Sequence, residues 1–121
     1  MIVIAVLGIL AAIAWPQYRQ YQIRAGRSDA RSSLTEGAQR AERFFVRNNT
    51  YTGALAAGFN SAEGRYTIAF AVTGGGTGFT LTATPVGGQA EDTLCASMVI
   101  NNLGQRTARD KDNKDSSTPC W

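Results

Sequence analysis

Residues 1–15 carry no charged or strongly polar side chain, and they stand at the start of a chain whose remaining residues are much more polar. Such a segment must find apolar surroundings, because burying each large apolar side chain gains about 1.5 to 3 kcal/mol. As one helix it rises about 22 Å, short of the roughly 30 Å hydrocarbon core of a bilayer. A secretory signal would place a basic start before the apolar part and a small-residue cleavage site after it. Here the apolar part begins at Met1 and runs into Trp15-Pro16-Gln17-Tyr18 and then into amphipathic helix, so the segment is expected to be retained.

Beyond Pro16 a helical period continues, with Ile23, Ala30, Leu34, Gly37, Ala41 and Phe44 or Phe45 forming one narrow apolar stripe. Arg19, Arg24, Arg27, Arg31, Arg40, Arg43 and Arg47 occupy much of the rest and face only Asp29, Glu36 and Glu42. This is a mildly basic helix, compatible with anionic partners but also with an ordinary solvated face. Glu36 with Arg40, and Asp29 with Arg24 or Arg31, are the candidate surface ion pairs. Asn48-Asn49 marks the helix end, and Thr50, Gly53, Gly58, Asn60 and Gly64 predict a loop.

At Arg65 the pattern changes to alternation. Tyr66, Ile68, Phe70 and Val72 fall on one face of a strand, and the run of residues 74–78 predicts a turn. Phe79, Leu81, Ala83 and Pro85 give a second strand, residues 94–100 a third, and Asn101-Asn102-Leu103-Gly104 turns into a short strand over residues 105–108. Residues 109–119 are charged and without periodicity, which predicts an exposed loop. At 121 residues there is room for one core. The expected fold class is therefore α+β, a long N-terminal helix packed on a three- to four-stranded antiparallel sheet. Residues 1–22 form an unpartnered apolar half of that helix, and residues 23–121 form a globular head containing its second half.

Cys95 and Cys120 are the only cysteines, and a bridge between them would tie the tail to the body. It requires an oxidising compartment, for which the apolar start supplies an export route; two free buried thiols are the alternative. The chain has no histidine and shows no nucleophile with its base, so enzymatic chemistry and a metal or other cofactor are not expected. Asp110, Asp112 and Asp115 alternate with Lys111 and Lys114, a pattern that reads as a solvated loop rather than a cation site. The Asn48-Asn49-Thr50 sequon and the glycine run at 74–78 are read as chance and as a hairpin tip.

The run from Met1 through Trp15-Pro16-Gln17-Tyr18 resembles the N-terminal helix of type IV pilins, and the stretch from Leu94-Cys95 to Cys120-Trp121, with Asn102-Leu103-Gly104 inside it, is similar to the disulfide-closed region of PilE-like pilins. Between these ends the likeness rests only on Tyr51-Thr52 and on a variable helix-to-sheet loop. In that family the mature chain opens with an N-methylated phenylalanine and Thr-Leu-Ile-Glu-Leu, leading into the string that here starts at Met1. The resemblance thus implies residues upstream of Met1, among them a glutamate that pairs with a neighbouring subunit's N-terminal amine.

It further implies a structural subunit, held in the bacterial inner membrane before assembly and then polymerised into an extracellular pilus filament. The core of such a homo-oligomer would be built from Met1, Ile2, Val3, Ile4, Val6, Leu7, Ile9, Leu10 and Ile13. Assembly would involve a prepilin peptidase, an ATPase motor and a membrane platform. Twitching motility, cell adhesion and DNA uptake are roles of such fimbriae as a class. Gly8 and Pro16 disfavour helix by roughly 1 and 3 kcal/mol, and the resemblance implies that helix is lost between them in the assembled filament. Two further readings stay open: a minor pilin serving as a DNA-binding receptor, with Arg65, Arg106, Arg109, Lys111 and Lys114 as possible phosphate contacts, and a pseudopilin of a secretion system.

Overall fold

The structure, a computed structural model, describes residues Met1–Trp121. Helix α1 runs unbroken from Ile2 to Asn48. Pro16 lies inside it and removes one backbone donor without ending it. The helix stops where the sequence places its end: Asn49 takes the left-handed conformation (φ 56°) and its N–H donates to the Phe45 carbonyl at 2.7 Å.

Five strands follow, β1 (Gly58–Asn60), β2 (Tyr66–Thr73), β3 (Gly78–Pro85), β4 (Ser97–Asn101) and β5 (Arg106–Arg109). They form one antiparallel sheet in the order β1-β2-β3-β4-β5, so that each strand pairs with its neighbours along the chain. The register aligns Phe70 with Leu81, Leu81 with Ile100, and Ile100 with Arg106. Alternation then sends Tyr66, Ile68, Phe70, Phe79, Leu81, Ala83, Met98 and Ala108 toward α1, where Ala30, Leu34 and Ala41 meet them in the core. At the C-terminal end of the helix, Tyr51 stacks on Phe45 (centroids 4.5 Å apart) and meets Phe79 edge-on at 4.8 Å.

The α+β class holds, with four corrections of detail. The sheet has five strands rather than three or four, because β1, only three residues long, lies within what the glycines and asparagine marked as loop. Val72 is exposed although it shares the parity of Tyr66 and stands opposite the buried Phe79, next to the Gly74–Gly76 turn. β4 begins at Ser97, not at residue 94: Cys95 precedes the strand, and its N–H is claimed by the Asp92 carboxylate at 3.1 Å.

The fourth concerns residues 109–119: they are largely exposed as expected, but Ser116 is buried, the last of them are helical, and their own polar groups order the stretch. Asp110 Oδ1 accepts the N–H groups of Asp112 and Lys114, both at 2.9 Å, and Asp115 accepts from Ser117. A one-turn helix α2 (Ser117–Cys120) closes the chain. The returning tail lies along β5, with Ser116 N–H donating to the Ala108 carbonyl at 2.9 Å and Ala108 N–H donating to Ser117 Oγ at 3.0 Å.

Candidate functional site

The feature no part of the chain covers is the first half of α1. Met1, Ile2, Val3, Ile4, Val6, Leu7, Ile9, Leu10 and Ile13 are all exposed, and the first buried side chain is Ile23. By length and composition α1 contains a segment able to cross a membrane, none of which is buried in the fold. About 30 Å of largely apolar helix thus projects from a head whose own core is closed. The fold supplies the reason: α1 is longer than the sheet is wide, and strands β2 to β4 pack only on its second half. Gly8 and Pro16 both lie in this free half, and the helix is continuous through them.

A clasp fixes the point where the rod leaves the head. The segment from Gly87 to Asp92 folds back onto α1, and Gln89 Nε2 donates to the Ile23 carbonyl at 2.8 Å and to the Tyr66 hydroxyl at 3.1 Å. Gly26 makes the room, for a Cβ there would stand 2.1 Å from Gln89 Oε1. Next to it Asp92 receives Arg27, and at the rim Glu91 receives Arg19. One turn further along, Asp29 is buried. It accepts the Ser61 hydroxyl together with the N–H groups of Glu63 (3.1 Å) and Arg65 (3.3 Å). The expected pairing of Asp29 with Arg24 or Arg31 does not form, because the aspartate faces the sheet side, where backbone donors of the turn before β2 need an acceptor. Glu36 with Arg40 does form, on the surface.

Cys95 and Cys120 are joined in a disulfide, and both are fully buried. The bond anchors α2 and Trp121 beside β5. The Trp121 indole donates to the Thr107 carbonyl at 2.8 Å, and the Arg106 guanidinium lies 5.4 Å from its ring centroid. Arg106, Arg109, Lys111 and Lys114 thus share β5 and the loop after it. Arg65 does not join them. It stands at the start of β2, three strands away in the sheet order, with its side chain on Glu63 at 3.1 Å.

Sequence reasoning did not find the clasp. Its signal was present as Gly26, Asp29, Ser33 and Gly37, small or polar residues at helical spacing along the edge of the apolar stripe, which mark a face that another segment approaches closely. Ser33 completes the pattern by accepting the Ala62 N–H at 3.3 Å.

With this geometry in place, the likenesses to known proteins gain meaning. The family whose model matches is described as type IV minor pilin ComP, DNA uptake sequence receptor, and the match spans residues 16–99. A type IV pilin from Shewanella oneidensis has a similar structure, with a TM-score of 0.63 and 28% sequence identity, covering 82% of this chain and 97% of that one. No curated protein matches the chain.

Proposed function

Because the chain belongs to the type IV pilin family of the ComP minor pilins, we propose that it is a structural subunit that enters a type IV pilus by burying its apolar helix half among those of other subunits. The observation that carries this reading is the uncovered run from Met1 to Ile13 on a head that has a core of its own. In water that run would drive association; in a bilayer it would sit in hydrocarbon. Exchange of lipid for sister helices satisfies the same surface twice, first in the inner membrane and then in an extracellular filament. Peptidase, motor and platform proteins would be the partners of that exchange. Mass spectrometry of sheared, purified filaments tests the proposal. Peptides of this chain should copurify with the filament and disappear on its deletion, and their absence from filaments of an expressing strain would remove it. Their abundance there separates a major from a minor subunit.

A second role on the same scaffold is DNA reception, favoured by the family's description and by the four cations grouped on β5 and the following loop. The family match ends at residue 99, so these four residues come to the reading from this chain's own geometry. Phosphate contacts give an affinity that falls steeply with salt. Duplex DNA should therefore bind at low ionic strength, and Arg106→Gln with Lys111→Gln should flatten the salt slope by about two contacts. Absence of binding at low salt would confine the chain to its structural role.

A further inference from the structure

Between the apolar half of α1 and the clasp lies a segment of different chemistry. Trp15, Tyr18 and Tyr21 recur every three residues and are 68%, 55% and 69% exposed, although large aromatic side chains in a folded head are normally covered. They follow directly on the last apolar turn, are interleaved with Gln17, Arg19 and Gln20, and are followed by Gln22; Arg24 is the next charge. Arg19 is engaged by Glu91 of the head, whereas Arg24 is exposed and has no carboxylate partner.

Tryptophan and tyrosine, each with an apolar ring and one polar handle, collect at the level where hydrocarbon gives way to headgroups. We propose that Trp15, Tyr18 and Tyr21 form the surface by which the subunit sits in the phospholipid headgroup layer, so that its helix leaves the hydrocarbon at Trp15. This rests on the reading that the subunit resides in a membrane before assembly, and it adds the depth and the residues that set it. The length of this segment agrees with that layer. From Trp15 to Tyr21 the helix rises about 9 Å, comparable with the roughly 5 to 7 Å that each headgroup layer adds to a 30 Å core. Spacing by threes spreads the rings over about 120° of the helix circumference, and nothing in the fold covers that arc. The head then begins at once. Ile23 is its first buried residue, and the Gly87–Glu91 segment lies on the clasp two turns beyond Trp15. The clasp therefore holds the head against the lipid surface instead of letting it swing on a free tether.

The chain has two tryptophans, so Trp121→Phe leaves Trp15 as the sole indole. The full chain carrying that substitution, reconstituted into phosphatidylcholine and phosphatidylglycerol vesicles whose acyl chains bear bromine at graded depths, reports where the ring sits. Trp15 should lie about 15 Å from the bilayer centre, at the edge of a core about 30 Å thick. A ring at less than about half that distance, or one quenched by aqueous iodide as fully as free indole while the chain is vesicle-bound, overturns the assignment but leaves membrane residence standing. A chain that does not float with vesicles at all overturns both. Should Trp121→Phe disturb the head, the quenching difference between the parent and Trp15→Phe yields the same depth.

Discussion

Arg27 holds Asp92 with both arms of its guanidinium, Nε donating to Oδ2 at 2.7 Å and Nη2 to Oδ1 at 2.9 Å, and the aspartate side chain is only 1% exposed. The hydrogen bond it donates to Asp92 raises the Arg27 pKa against the opposing effect of burial. Since Oδ1 also accepts the Cys95 N–H, the pair joins α1 to the base of the disulfide. Arg27→Ala would strand a buried carboxylate and is expected to cost about 3 kcal/mol in urea unfolding of the detergent-solubilised chain. Arg27→Met combined with Asp92→Leu should recover most of that loss. Equal stability of Arg27→Ala and the parent would show that the aspartate finds water.

Gly26→Ala sets two effects against each other. Alanine favours helix by about 1 kcal/mol over glycine, but its Cβ displaces the Gln89 amide and with it two buried hydrogen bonds, together worth about 2 kcal/mol. The expected net is a loss of about 1 kcal/mol in thermal or urea unfolding. Adding Gln89→Ala should then cost little more, because the bonds are already gone. A stabilised Gly26→Ala chain would mean that Gln89 has another rotamer to occupy.

Opening the disulfide enlarges the unfolded ensemble. Cys95 and Cys120 are 25 residues apart, and closing a loop of that length is worth about 3 to 4 kcal/mol in the chain-entropy view. Cys95→Ala with Cys120→Ala should lower the unfolding midpoint by a corresponding amount. It should also raise hydrogen exchange first at Ser116 and Ala108, whose amides the returning tail and β5 use to hold each other.

Alkaline pH should destabilise the head. Burial raises the Tyr66 pKa above the ordinary tyrosine value; Asp92 and Asp29 add to the shift, while Gln89's hydrogen bond and Arg27 oppose it. A folded value above the unfolded one means that the native state keeps a proton the unfolded state would release. The contribution is therefore fully present below pH about 10 and is lost as pH rises through the folded value. Tyr51 is shifted the same way, by burial and then by its hydrogen bond to Glu42. Urea midpoints measured between pH 8 and 11 should fall above pH 10, and Tyr66→Phe should make that fall shallower. An unchanged slope in Tyr66→Phe would assign the loss to other groups.

In an assembled filament, backbone hydrogen bonds should be missing somewhere between Gly8 and Pro16, where the single chain has continuous helix. Pro16 has already removed one bond and glycine is the residue least held to helix, so neighbours need supply little to part the strand there. High-resolution imaging of the filament decides it. Helix unbroken from Ile2 through Arg24 would count against the idea.

Much of this fold was legible because its signals are local. The alternation of Tyr66, Ile68 and Phe70 and of Phe79, Leu81 and Ala83 depends on nothing but strand geometry, and Asn49 ends α1 by its own tolerance for a left-handed backbone. The apolar rod was legible for the same reason, since fifteen residues without a polar group need no context. What escaped depends on partners distant in sequence. Asp29 answers donors more than thirty residues away, Arg27 answers Asp92 at a separation of 65, and β1 exists only because β2 offers it a ladder. A carboxylate on a helix reads as a surface charge until the turn it caps is known.

The returning tail along β5 bears on how closely such heads can be crowded. An uncovered strand edge is a template for any neighbouring chain. Here one margin of the sheet is only three residues long, and the other is already occupied by Asp115, Ser116 and Ser117. Copies pressed side by side would thus meet through side chains and not zip into shared ladders, so a dense array of them could come apart again into intact monomers.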